Sequence, residues 1–177
     1  MGESFLEIAI SFQLGGRPNI IAITVVVLLL GITWAQYFDV LWGRGSPTTS
    51  GLLLTYLAAH AIALLGVGTA SISLANVAIS RGEDIFDTLY GTELTYALVL
   101  TYLGYVVIAL SLRPVRSRVI TILIGVTLVL AFLGGTGGRL RLLEEMQMAM
   151  VVAGVLLVGV VLCNRAIRLD QSAVIRR

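Results

Sequence analysis

Residues 50–80 read SGLLLTYLAAHAIALLGVGTASISLANVAIS, a run without Asp, Glu, Lys or Arg. A helix needs about 20 predominantly apolar residues to cross a hydrocarbon core of about 30 Å, so this run is long enough to span a bilayer. The preceding apolar run, 19–42, is entered through Gly15-Gly16-Arg17-Pro18 and left through Gly43-Arg44-Gly45-Ser46-Pro47, the Gly and Pro punctuation of helix ends. On the other side, a polar stretch from Arg81 to Thr92 with Glu83, Asp84 and Asp87 precedes a third run at 93–112. Arg113, Pro114, Arg116 and Arg118 then form a basic turn into a fourth at 119–134. Gly134-Gly135-Thr136-Gly137-Gly138, read as a flexible turn, and a charged loop lead to the fifth at 146–163. The expected fold is an all-α integral membrane protein, one bundle of about five transmembrane helices over 1–177.

Composition excludes a water-soluble globule. The 177 residues are 58% hydrophobic and 12% charged, against about 25% charged in a soluble domain. The 1–15 segment has an acidic start, with Glu3 and Glu7 one helical turn apart, and no basic n-region, so it does not read as a secretory signal. It reads as a short interfacial N-terminal helix or a truncated crossing. The second crossing is rich in small residues, including Ala58, Ala59, Ala61, Gly66, Gly68, Ser71 and Ser73, which let backbones approach closely in lipid. That makes it the expected central helix, the one most covered by protein.

Every one of the twelve basic residues is Arg, set singly or in small groups between apolar runs, which is a loop pattern and not a nucleic-acid face. With five crossings, Arg44, Arg113, Arg116, Arg118, Arg165, Arg168, Arg176 and Arg177 fall on one side, and Arg17, Arg81, Arg139 and Arg141 on the other. Positive charge is retained in the cytoplasm, so the C-terminus is expected there, in a plasma membrane. Trp34, Tyr37, Trp42, Tyr90 and Tyr96 fit an aromatic belt at the interfaces.

An ionisable group within a crossing is costly and therefore a candidate for function. Asp39 lies toward the cytoplasmic end of the first crossing, beside Gln36 and Tyr37; His60, the one histidine, lies near the midplane of the second; and Tyr56 precedes it by one helical turn. One reading joins Asp39, Tyr56 and His60 as an intramembrane polar site, with His60 a proton acceptor or ligand group tuned by burial and by Asp39, and Glu3, Gln36 and Tyr37 as additional members. The other has Asp39 snorkelling to the interface and His60 making an interhelical hydrogen bond. One His and one Cys exclude a three-residue zinc site and bis-histidine haem within the chain. Ser71 and Ser73 are about three turns or more from His60 along the helix, so only a serine from another helix could complete a dyad; none is singled out, and no enzyme is expected. No cofactor is assigned.

Trp34-x-x-Tyr37-Phe38-Asp39, followed by Tyr56-x-x-x-His60 and Gly66, resembles the C-terminal half of the bacterial low temperature requirement A membrane proteins. Gly2-Glu3-Ser4 is similar to a Gly-Glu-Ser motif of that family, and Tyr102-Leu103-Gly104-Tyr105 to a looser aromatic-Gly helix. Ala35 stands where the family usually has a second Trp, and Gln36 where it has an apolar residue. The resemblance implies a multi-pass inner-membrane protein without an established substrate, lacking here the helices that precede the Gly-Glu-Ser motif. Two functional expectations follow. One is a transport or permeation component working through the polar site. The other is a non-catalytic scaffold or accessory subunit, in the lipid bilayer with its own copies or with a partner membrane subunit.

Overall fold

In hydrocarbon, where no water competes, backbone N–H and C=O groups must be satisfied within the segment that carries them, and the α-helix does this for an apolar run. A computed structural model describes residues 20–41, 47–79, 87–112, 117–140 and 145–175. These form α1 (Ile20–Gln36), continued by a π-helical turn (Tyr37–Leu41), then α2 (Ser50–Ile79), α3 (Asp87–Ser111), α4 (Ser117–Leu140) and α5 (Glu145–Ile175). The protein is an all-α membrane bundle: α2 to α5 carry apolar spans long enough to cross, at Ser50–Ala75, Thr92–Ser111, Ser117–Thr136 and Gln147–Leu169. The 17 residues of α1 rise about 26 Å, and the π-helical turn carries the same apolar helix on to Leu41. The 1–15 segment, Glu3 and Trp42 lie outside the described residues.

The hydroxyls scattered through these helices are absorbed locally. Thr33, Thr69, Ser71, Ser73, Thr101 and Ser111 each donate to the carbonyl four residues back, at 2.8–3.2 Å. Ser71 and Ser73 thus serve their own helix. At the start of α2, Thr49 caps the helix: its side chain accepts from Leu52 N at 3.3 Å and its carbonyl from Leu53 N at 2.9 Å.

Two expectations need correction. The central helix is α3, not α2: over an apolar 18-residue stretch of each span, 67% of α3 is buried inside the bundle against 17% of α2. The small residues of α2 do meet a neighbour, but on one face only. Ala59, Ala63, Gly66 and Ala70 are buried, while Ala58, Ala61 and Gly68 are exposed together with Leu53, Leu54, Leu57, Leu64 and Leu65. Residues 134–138 are not a turn but the last part of α4. Glycine in a helix costs about 1 kcal/mol relative to Ala, less than leaving backbone groups unpaired in lipid, and Gly134 seats α4 on α3, where a Cβ would lie 3.3 Å from Thr95 Cγ2. The helices also run past the apolar spans within them: α3 starts at Asp87, inside the polar stretch, and α5 carries Arg165 and Arg168 on through to Ile175.

The antiparallel α2/α3 seam is the tightest contact. A Cβ on Gly66 would lie 2.6 Å from Thr101 N and 2.8 Å from Ala97 O; one on Gly104 would lie 2.8 Å from Ala63 Cβ and 2.9 Å from Ala59 O. Each helix therefore supplies a glycine against the other's backbone. The outward faces, with Leu128 and Phe132 on α4 and Leu157, Val158 and Val161 on α5, expose large apolar side chains as lipid-facing helices do.

Candidate polar site within the membrane

The π turn places the site. Its i→i+5 hydrogen bonding inserts a residue into the helical ladder and re-aims the side chains that follow. Tyr37, the first residue of the turn, reaches α2, where its hydroxyl lies 2.8 Å from His60 Nε2. His60 Nδ1 lies 2.9 Å from the Tyr56 carbonyl. A carbonyl can only accept, so Nδ1 carries the proton; Nε2 of the neutral ring then accepts from the Tyr37 hydroxyl. Both ring nitrogens are thus engaged by groups of the same chain. The Tyr56 ring contributes a face, its centroid 4.2 Å from that of His60, while its backbone makes the hydrogen bond.

From Tyr37 the contacts continue into the central helix. Its ring lies 5.7 Å from that of Tyr105, which lies 5.4 Å from Tyr102. The Tyr105 hydroxyl donates to the Thr33 carbonyl of α1 at 3.2 Å, and the Tyr102 hydroxyl donates to Gln36 Oε1. Gln36 is 0% exposed, and its Nε2 donates to Cys163 Sγ of α5 at 3.8 Å. Polar and aromatic groups from four helices, α1, α2, α3 and α5, therefore join in one connected cluster. Trp34 stacks on Phe38 at 4.9 Å and meets Tyr37 edge-on at 6.4 Å, closing the cluster's other flank.

The structure unites His60, Tyr56, Tyr37 and Gln36 of the expected set. Asp39 is a residue of the π turn, but its side chain lies outside the described residues, as does that of Tyr90. The Tyr37 hydroxyl, expected in the belt, is bonded to the histidine, and Tyr96 is exposed. Sequence reading missed Tyr102, Tyr105 and Cys163 as members. The spacing of Tyr102 and Tyr105 by three residues, putting both rings on one helical face, was the signal available for the first two. Among the described residues no three His, Cys, Asp or Glu side chains come together as a metal site requires. Comparison of the chain with protein-family models, with curated proteins and with solved structures finds no match.

Proposed function

We propose that this chain is a non-catalytic membrane scaffold or accessory subunit, whose intramembrane polar cluster fixes the register of its helices. The observation that carries the reading is the engagement of both His60 nitrogens by Tyr37 and Tyr56 of the same chain, which makes the ring a pin between α1 and α2. A polar group buried in apolar surroundings costs about 1–3 kcal/mol if left unpaired, so a satisfied histidine holds its partners in place. The reading implies a homo-oligomer or a stable partner subunit. A monodisperse monomer in mild detergent, with no partner recovered from native membranes, counts against it. The arginine asymmetry supports a cytoplasmic C-terminus in a bacterial inner membrane, and the Trp34 to His60 pattern supports kinship with the low temperature requirement A proteins.

A transport reading keeps one observation of its own. His60 is only half-buried, and a hydroxyl can accept as well as donate, so a proton reaching the ring could pass to the Tyr37 oxygen beside it. Replacement of the histidine separates the two. Under the scaffold reading His60→Gln, whose amide retains a donor and an acceptor, is nearly silent, His60→Leu lowers thermal stability by about 1–2 kcal/mol, and proteoliposomes of the native protein pass protons no faster than empty ones. Proton flux by the native protein, read with an internal pH dye and lost in a well-folded His60→Gln variant, would replace the scaffold reading with transport.

A further inference from the structure

At the end of the bundle where α4 begins and α5 approaches its end, the two antiparallel helices leave a groove of about 400 Å³. Its walls carry Ser117, Arg118 and Thr121 from the first turns of α4 and Arg165 from α5; its floor is Ile122, Leu162, Ala166 and Leu169. Among the described residues no acidic side chain lines it. Both arginines are exposed, one on each wall, at the boundary of the apolar spans Ser117–Thr136 and Gln147–Leu169. The first turn of α4 adds the positive end of a helix dipole to the same place.

We propose that this groove binds the phosphate of an anionic phospholipid. A guanidinium offers five N–H donors in a fork that matches phosphate oxygens, so a contact with protein leaves donors for a ligand. The same chemistry would serve a free phosphate ion. The apolar floor favours the lipid: it continues from the arginines along the lipid-facing sides of α4 and α5, so a headgroup held between Arg118 and Arg165 lays the start of its acyl chains on Ile122 and Leu162. Basic pockets between transmembrane helices at the membrane surface bind anionic headgroups on this principle.

The test is titration of the full-length protein in mild detergent with phosphatidylglycerol and, separately, phosphatidylcholine, reading bound lipid by native mass spectrometry. Phosphatidylglycerol is expected to bind the more tightly. Arg165→Gln should weaken it about fivefold and the Arg118→Gln/Arg165→Gln pair about twenty-fivefold, while Arg168→Gln, on the same helix but outside the groove, changes it less than twofold. Helical circular dichroism and thermal unfolding confirm that each variant folds; if the double variant does not, the contrast between Arg165→Gln and Arg168→Gln decides. Equal affinity for the two lipids, or equal losses for those two single variants, overturns the proposal. Displacement of phosphatidylglycerol by millimolar inorganic phosphate would assign the groove to the free ion and overturn the lipid.

Discussion

Gly66→Ala is expected to destabilise the bundle by about 1–3 kcal/mol, while Gly68→Ala, two residues along the same helix, leaves it unchanged or stabilises it by up to about 1 kcal/mol. The added methyl group is the same in both. At position 66 it would stand 2.6 Å from the Thr101 nitrogen and 2.8 Å from the Ala97 carbonyl oxygen, and backbone atoms of a packed helix cannot rotate away. The α2/α3 pair must separate to admit it, loosening contacts along a seam that includes the buried Ala59, Ala63 and Ala70 of α2 and Ala97 and Thr101 of α3. At position 68 nothing lies within 4 Å, so the substitution exchanges a flexible residue for a better helix former. Gly104→Ala, which meets Ala63 Cβ and Ala59 O at 2.8 and 2.9 Å, should resemble Gly66→Ala. Reversible unfolding in mixed micelles measures all three, and indistinguishable midpoints for the variants at 66 and 68 would refute the close approach.

That contrast shows how far residue type alone leads. Small residues signalled that α2 makes a tight contact, and it does. Their abundance did not say on which face, because Gly68 and Gly66 read alike until α3 is placed beside one of them. The same limit explains α3. Its buried face holds Tyr102 and Tyr105 as well as Leu94, Leu98 and Ile108, a set not conspicuously small, so composition gave no sign that it is central. Hydropathy located the apolar runs, since burial in lipid is a property of the run itself. It could not locate the C-terminal end of α4, where Gly134 to Gly138 stay helical past the end of the apolar span at Thr136.

The polar site was legible where it depended on depth and spacing. His60 stands out as the one histidine within a charge-free run, and its pairing with Tyr37 follows from the neighbouring positions of the first two crossings. What the sequence did not display was the π turn, which sets the direction of Tyr37, or the arrival of α5 at Gln36. Pairing across 127 residues, from Gln36 to Cys163, is a tertiary fact with no local signature. Nor was the manner of the Tyr56 contact visible: the one-turn spacing places Tyr56 beside His60, and it is the Tyr56 carbonyl that takes the hydrogen bond while the ring lies against the imidazole.

Gln36→Ala is the second substitution with a large expected effect, a loss of about 2–4 kcal/mol. Gln36 is fully buried between α3 and α5, so truncation leaves a cavity and strands the Tyr102 hydroxyl, also 0% exposed, without its acceptor. Gln36→Leu fills most of the volume and isolates the hydrogen-bonding part. It is expected to cost about 0.6–1.7 kcal/mol, the average and the upper end for interhelical hydrogen bonds in membranes. Tyr102→Phe should cost about the same, because it leaves Gln36 Oε1 unpaired at the same point. Combining Gln36→Leu with Tyr102→Phe removes donor and acceptor together, so the double variant should be less destabilised than the sum of the singles by about 0.5–2 kcal/mol. Unfolding midpoints of the four proteins in one detergent provide the cycle. Strict additivity would mean that the two side chains do not share a hydrogen bond, and the cluster joining α1 to α3 and α5 would then have to be redrawn without its central link.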